Sequence, residues 1–263
     1  MPEGHTIHRL ARDLDELRGG PLRASSPQGR FADGAARLDG ASLERIEPHG
    51  KHLFLGMSTG DQVHVHLGMQ GKWLRYADPS VPPRPQVRLR LATPKLVRDL
   101  IAPSVCEVLD DDGVRRVTAW LGPDPLRADA DVPAALAALS SDTRALGTVL
   151  LDQSVLAGVG NVFRNEALHA VGVDPRRSCG SLDADLLARL WDVLRRMMAQ
   201  AVEDGRIVTV GGPDRLSLPE SETRHVYKQH HCRDCGAPVE VLEIGGRTAY
   251  VCPVDQPAPG RDP

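Results

Sequence analysis

A secondary amine beside a carboxylic acid is a competent pair for imine chemistry, and Pro2 and Glu3 supply one at the head of the chain once Met1 is removed. An α-amino group titrates at about 8, so a good fraction of it is neutral and nucleophilic close to pH 7. Its attack on an aldehyde-level carbon gives a Schiff base, and the neighbouring carboxylic acid can supply the proton. Pro2 also has a plainer reading, as a second residue that simply permits methionine removal.

The most specific chemical pattern lies near the other end. Cys232-Arg233-Asp234-Cys235 and Cys252-Pro253-Val254-Asp255 give C-x2-C-x16-C-x2-D. Two such knuckles joined by a β-hairpin would bring four ligands around one structural zinc ion. Asp255 stands where a fourth cysteine is expected, and three readings remain open. Asp255 ligates zinc, or His230, His231 or water takes its place, or the hairpin holds no metal and is kept by packing.

Weaker signals lie between these two. Lys51 sits at the mouth of an apolar strand, a place where lysines are commonly just solvated. His64 and His66 share a strand face but have no third ligand close in sequence, which makes them ordinary sheet histidines. Met69 and Gln70 follow in a glycine-flanked turn. Gly158-Val159-Gly160-Asn161 suits a tight turn with Asn161 capping the next helix, where backbone N–H groups can meet phosphate. It equally suits a plain helix–helix connection. Cys106 and Cys179 stand alone and read as buried or incidental thiols.

These residues need elements to position them. Ile7, Leu10, Ala11, Leu14 and Leu17 fall at helical spacing, and Gly19-Gly20-Pro21 ends that helix. From about residue 22 to 118 the pattern is of strands, at 52–55, 63–67 and 87–91, with turns at 58–61, 82–85 and 110–113. Short strands at that spacing argue for an antiparallel sandwich or barrel. Leu121-Gly122-Pro123-Asp124-Pro125-Leu126 breaks the chain. Helices are expected after it at 132–139, 144–156, 161–170 and 183–202. Residues 204–224 read as a surface loop with room to move, and the end of the chain as a disordered tail.

The 263 residues are 41% hydrophobic and 25% charged, enough for one large or two modest domains. No apolar run approaches membrane-spanning length and the first residues do not resemble a signal peptide, so a cytoplasmic protein is expected. Net charge is −3, shared as +1 over 1–125, −4 over 126–222 and zero over 223–263. Any nucleic-acid contact therefore needs positive charge gathered on one face. Five cysteines, three of them clustered, favour metal over disulfides.

The order of the motifs is distinctive. N-terminal Pro-Glu-Gly, Gly50-Lys51 in a strand, His66-Leu67-Gly68-Met69, Leu150-Leu151-Asp152-Gln153 with Ala157-Gly158-Val159-Gly160-Asn161, and a C-terminal zinc hairpin together resemble the Fpg/Nei family of DNA glycosylase/AP lyases. The likeness runs from Pro2 to Gln256. The opening Met-Pro-Glu-Gly-His-Thr, with Ser26 to Asp33, is similar to the actinobacterial endonuclease VIII subgroup.

That resemblance implies an α+β multidomain fold. An N-terminal antiparallel β-sandwich with a leading helix would occupy 1–122 and a helical helix–two-turns–helix domain 123–224. A zinc-finger hairpin would follow at 225–257 and a tail at 258–263. Pro2 would attack the sugar C1′ of a damaged nucleotide, Glu3 protonate the sugar ring oxygen, and Lys51 approach the lesion and its phosphate. Met69 and Gln70 would fill the gap left by the extruded nucleotide. Asn161 and Arg247 would hold the lesion phosphate, Arg247 counting with Pro2, Glu3 and Lys51 as catalytic, and Glu166, the acidic residue expected nearby, would be among the DNA-binding residues. Cys232, Cys235, Cys252 and Asp255 would bind zinc. The expected activity is excision of oxidised bases, pyrimidines first, followed by β/δ-elimination. The alternatives are the same chemistry on oxidised purines, or a catalytically weak protein that binds damaged DNA. A monomer acting on double-stranded DNA in the cytoplasm, at the nucleoid, is expected. Two departures stand out: Ser154 where many formamidopyrimidine-type relatives carry lysine, and Asp255 itself.

Overall fold

The apolar stripe at the start of the chain folds as α1 (Gly4–Asp13), followed by a 3-10 turn at Leu14–Leu17. Ile7, Leu14 and Leu17 are fully buried, which anchors the head of the chain to the core beneath it. The structure, a computed structural model, describes residues 2–260. Met1 and the last three positions of the expected tail lie outside the described residues.

The chain divides into two units, Met1–Trp120 and Leu121–Pro263. In the first, β1 (Arg23–Ser25), α2 (Ala32–Leu38), β2 (Leu43–His49), β3 (His52–Met57), β4 (Gln62–His66), β5 (Lys72–Tyr76), β6 (Val87–Ala92), β7 (Val97–Ile101), β8 (Val105–Leu109) and α3 (Asp111–Thr118) follow α1. The strands form two antiparallel four-stranded sheets, ordered β1-β6-β7-β5 and β2-β3-β4-β8. Alternation along the strands decides the faces. Leu53 pairs with Val65 and Leu55 with Val63, and all four enter the core with Leu89 and Leu91 of the other sheet. Each such side chain contributes about 2 kcal/mol on burial. The intervening positions, His52 opposite His66 and Phe54 opposite His64, therefore share the other face of that sheet.

Two helices occur where strands and turns were expected. Residues 110–113 are not a turn, because Asp110 accepts the Gly113 N–H and caps α3, whose first turn carries Asp111 and Asp112. Helix α2 is held by the buried Ala35 and Leu38. Its seven residues are too short to show a clear period.

The second unit contains α4 (Val132–Ser141), α5 (Leu146–Val149), α6 (Asn161–Ala170), α7 (Ala184–Asp204), β9 (Glu240–Ile244) and β10 (Arg247–Val251). Leu146, Val149, Leu156, Phe163, Leu168, Leu190, Leu194 and Met198 form its core. Asp183 caps α7 through the Leu186 N–H, and Gly205 ends it in the left-handed conformation.

The helix expected over 144–156 shrinks to the four residues of α5. Asp152 accepts the Ser154 N–H, and Gln153 bonds the Leu151 and Val159 carbonyls and the Gly158 N–H. Side chains that bond backbone in this way compete with helix and close two successive turns. The 204–224 loop is pinned rather than open. Thr209 N–H donates to the Thr223 carbonyl, Arg206 reaches the Leu216 and Leu218 carbonyls, and Arg215 grips Asp204 through both terminal nitrogens. No helix among the described residues is long and apolar enough to cross a membrane.

Candidate functional site

In the first unit Pro2 is half-buried and Glu3, the residue preceding α1, is 0% exposed. The Glu3 carbonyl accepts the Thr6 N–H at 2.9 Å, so the first turn of α1 fixes where the pair sits. Helix α1 packs on β2 and β3, and Lys51 lies in the turn joining those strands.

Beside Lys51 the structure assembles histidines that sequence spacing left apart. His52 Nδ1 is 2.9 Å from His64 Nε2, the two rings stack at 5.1 Å, and His64 Nδ1 lies 2.9 Å from Glu107 Oε1. Burial, reinforced by His64, His66, His49 and Lys51, holds His52 down at about 3. Burial also lowers His64, against the opposing pull of Glu107. His66 is lowered by burial, then by Lys51 and His64. The stack is accordingly neutral at neutral pH and puts no imidazolium next to Lys51. The missed signal was register: a hairpin turning at 58–61 sets His52 opposite His66.

Met69 and Gln70 are both exposed, Met69 by 70%, at the tip of the turn after β4. Gly71 makes the turn possible, since a Cβ there would meet the Leu67 carbonyl oxygen at 2.2 Å. Cys106 is pushed up to about 12 and Cys179 to about 11 by burial, so neither thiol is a nucleophile.

In the second unit the site is organised by α6, almost all of it buried. Asn161 does not cap the helix; Gly160 precedes α6, and Asn161 instead donates to the Thr248 carbonyl at 2.9 Å. Arg164, 0% exposed, donates to the carbonyls of Ile244 at 3.0 Å and Thr248 at 2.7 Å. Asn165 Oδ1 accepts the Tyr250 N–H at 2.7 Å. Glu166, expected among DNA-contacting residues, is 1% exposed, and its carboxylate accepts the N–H groups of His225, Val226 and Tyr227 and the Thr209 hydroxyl. Its place is to hold the chain entering the hairpin. Sequence reasoning does not single out Arg164, Asn165 or His169, because polar residues at helical spacing do not show whether they face protein or water.

The hairpin turns at Gly245-Gly246, where φ of +63° and +68° excludes most side chains. Arg247 opens β10 just past this turn, exposed, and one residue from the carbonyl that Asn161 and Arg164 hold. At the base, the ligand atoms of Cys232, Cys235, Cys252 and Asp255 all lie within 4.8 Å of one another. His230 and His231 are not in this group. Cys235 and Cys252 sulfurs are 3.3 Å apart, and Cys232 Sγ is 3.1 Å from Asp255 Oδ2. Burial pushes the Cys252 thiol up to about 12 and raises Cys232. Burial acts to raise Asp255 too, but hydrogen bonds from the three thiols and His169 outweigh it and leave the carboxyl at about 2. Three converging sulfurs and one carboxylate are a donor set that a soft divalent cation satisfies, replacing the thiol protons.

A β-sandwich headed by Pro2 and Glu3, and a helical unit carrying a hairpin with three cysteines and an aspartate drawn together and an exposed arginine, define the class. Residues 1–99 match the formamidopyrimidine-DNA glycosylase N-terminal domain, and residues 121–211 the formamidopyrimidine-DNA glycosylase H2TH domain. The chain is 42% identical to the protein named endonuclease 8 1 of Mycobacterium tuberculosis, over 97% of this chain and 100% of that one. It is 34% identical to a probable endonuclease 8 2 of Streptomyces coelicolor, over 100% and 96% of the two chains. Lactococcus lactis Fpg (MutM), solved in complex with DNA containing N7-benzyl-Fapy-dG, shares the fold at a TM-score of 0.81 and 22% identity, covering 98% of this chain and all of that one. The chain belongs to the family of formamidopyrimidine-DNA glycosylase and endonuclease 8.

Proposed function

We propose that the protein is a bifunctional DNA glycosylase/AP lyase of base excision repair, acting on double-stranded DNA with oxidised pyrimidines as its preferred substrates. The observation that carries this reading is the Pro2–Glu3 pair at the head of α1, in a chain that matches an endonuclease 8 over that relative's whole length. With Met1 removed, the Pro2 nitrogen attacks C1′, and the glycosidic bond breaks as the base leaves. Glu3 protonates the ring oxygen as the C1′–O4′ bond opens, leaving an iminium between Pro2 and C1′. The iminium acidifies the C2′ protons. Loss of one expels the 3′ phosphate, and a second elimination expels the 5′ phosphate.

Lys51, in the neutral setting of the histidine stack, approaches the lesion phosphate and carries protons. Met69 and Gln70 fill the space vacated by the flipped nucleotide, offsetting the unstacking cost of a few kcal/mol. Asn161 and Arg247 grip the lesion phosphate, and Glu166 acts indirectly, by positioning the segment it holds. Zinc bound by Cys232, Cys235, Cys252 and Asp255 would supply structural cross-linking of the two knuckles and no chemistry on DNA. The protein works as a monomer in the cytoplasm, at the nucleoid.

The test is borohydride trapping on duplexes carrying an abasic site, thymine glycol or 8-oxoguanine, followed by proteolysis and mass spectrometry of the adduct. The expected result is DNA attached to a peptide beginning at Pro2, with thymine glycol excised fastest. Attachment to Lys51, or binding without adduct or nicking, would overturn the mechanism. Fastest excision of 8-oxoguanine would move the substrate class to purines.

A further inference from the structure

The fourth ligand of the hairpin is a carboxylate, and the structure sets a histidine from a different element against it. His169, on the last turn of α6 and 7% exposed, has its Nε2 3.2 Å from Asp255 Oδ2 and 3.3 Å from Cys232 Sγ. Its ligand atom groups instead with those of His225 and Asp234, and it meets the cysteine–aspartate group at the Asp255–Cys232 edge. Its ring is itself held in place. It stacks on His225 at 5.4 Å and 24°, and His225 is fixed by Asp234 at 2.8 Å and the Thr209 carbonyl at 3.1 Å.

We propose that His169 is a positioning residue of the metal centre, donating its Nε2–H to Asp255 and thereby making an aspartate serviceable where a thiolate would need no help. A carboxylate has two oxygens and rotates freely about its last bond. A donor on one side fixes which oxygen faces the thiols, and residues one step behind a metal's ligands orient them in this way. The metal site is not contained in the hairpin, because its aspartate is oriented from helix α6, which also carries Asn161, Arg164, Asn165 and Glu166. Metal and hydrogen bonds thus lock the same hairpin to the same helix.

This inference rests on the reading that the hairpin binds zinc, and one experiment separates the two. Metal-free full-length protein is titrated with Zn(II) against a chromophoric chelator, and separately with Co(II), whose thiolate charge-transfer and d–d bands report the donor set. Wild type is compared with His169→Phe, which preserves the ring stack, with His169→Gln, which keeps an N–H donor, and with both variants in an Asp255→Cys background. Zinc affinity should fall about 10–100-fold in H169F and recover partly in H169Q. In the Asp255→Cys background H169F should change it less than about threefold, since a thiolate needs no such donor. The Co(II) bands of H169F should broaden only when Asp255 is present. Equal affinities for wild type and H169F, or the same loss in both backgrounds, would overturn the role of His169 and leave the zinc site standing. A wild-type protein that takes up neither ion would overturn the zinc site itself.

Discussion

At the scale of single residues, burial does the selecting. Glu3 is wholly sequestered, which suits a group that must deliver a proton to one oxygen rather than trade it with water. Glu3→Gln keeps the shape and removes the acid. Single-turnover formation of the borohydride-trapped adduct should fall by about 10²–10⁴-fold, while affinity for an abasic-site duplex holds within a few-fold. A comparable loss in affinity would make Glu3 a binding group. His52 shows burial acting on a base. Its folded value of about 3 lies below the ordinary 6.5, so above pH 6.5 it is neutral in both folded and unfolded chains. Below that, the unfolded chain takes up a proton that the folded chain refuses, so stability present above pH 6.5 drains away toward pH 3. His64 and His66, also lowered, add in the same direction. Urea midpoints of the wild type should drop steadily from pH 7 to pH 4, and less so in His52→Gln. Parallel slopes for the two proteins would clear His52 of the effect.

At the scale of elements, α6 accounts for most of what the second unit does. Its expected span, 161–170, matches the structure, yet its purpose was not legible. A 3.6-residue period identifies a helix but cannot say that the polar positions on it face protein rather than water. The partners of Asn165 and Glu166 outside α6 lie 43 to 85 residues further on. The Pro2–Glu3 pair, the cysteine knuckles and the glycine-flanked Met69 turn stand out in the sequence because each is local. The capping of α3 by Asp110 and the shortening of α5 by Asp152 and Gln153 turn on side-chain bonds to backbone that a periodicity average washes out. Glu166 tests the place of α6 directly. Replacing it with Gln sets an NH2 group against N–H donors and leaves a buried group unpaired, which costs about 1–3 kcal/mol. Thermal unfolding should show that loss, and amide exchange should accelerate at His225, Val226 and Tyr227 before it does in α7. Unchanged exchange at those three amides would refute the anchoring.

At the scale of the molecule, the candidate metal donors are confined to one unit, and a net charge of −3 leaves no bulk excess of positive charge. The metal donors and their supports all lie within Leu121–Pro263, and the first unit has its own core. Stripping metal with a chelator should therefore raise amide exchange over 225–257 and leave β6 and β7 as protected as before. Equal loosening of both units would contradict it. Charge is the sharper case. With a net charge of −3 the protein gains nothing from bulk attraction to DNA, so in the proposed function affinity comes from a few placed cations, with Arg247 at the hairpin turn and Lys51 the proposed pair. Each phosphate neutralised contributes about −0.9 to the slope of log K against log salt. Two such contacts give a slope of about −2, shallow beside that of a strongly basic DNA-binding protein. Arg247→Ala should weaken binding to every duplex by a similar factor, whatever the lesion, and make the slope shallower by about 1. Fluorescence anisotropy between 50 and 300 mM salt would measure both. An unchanged slope would take Arg247 off the phosphate, and a loss confined to one lesion would make it a reader of the base.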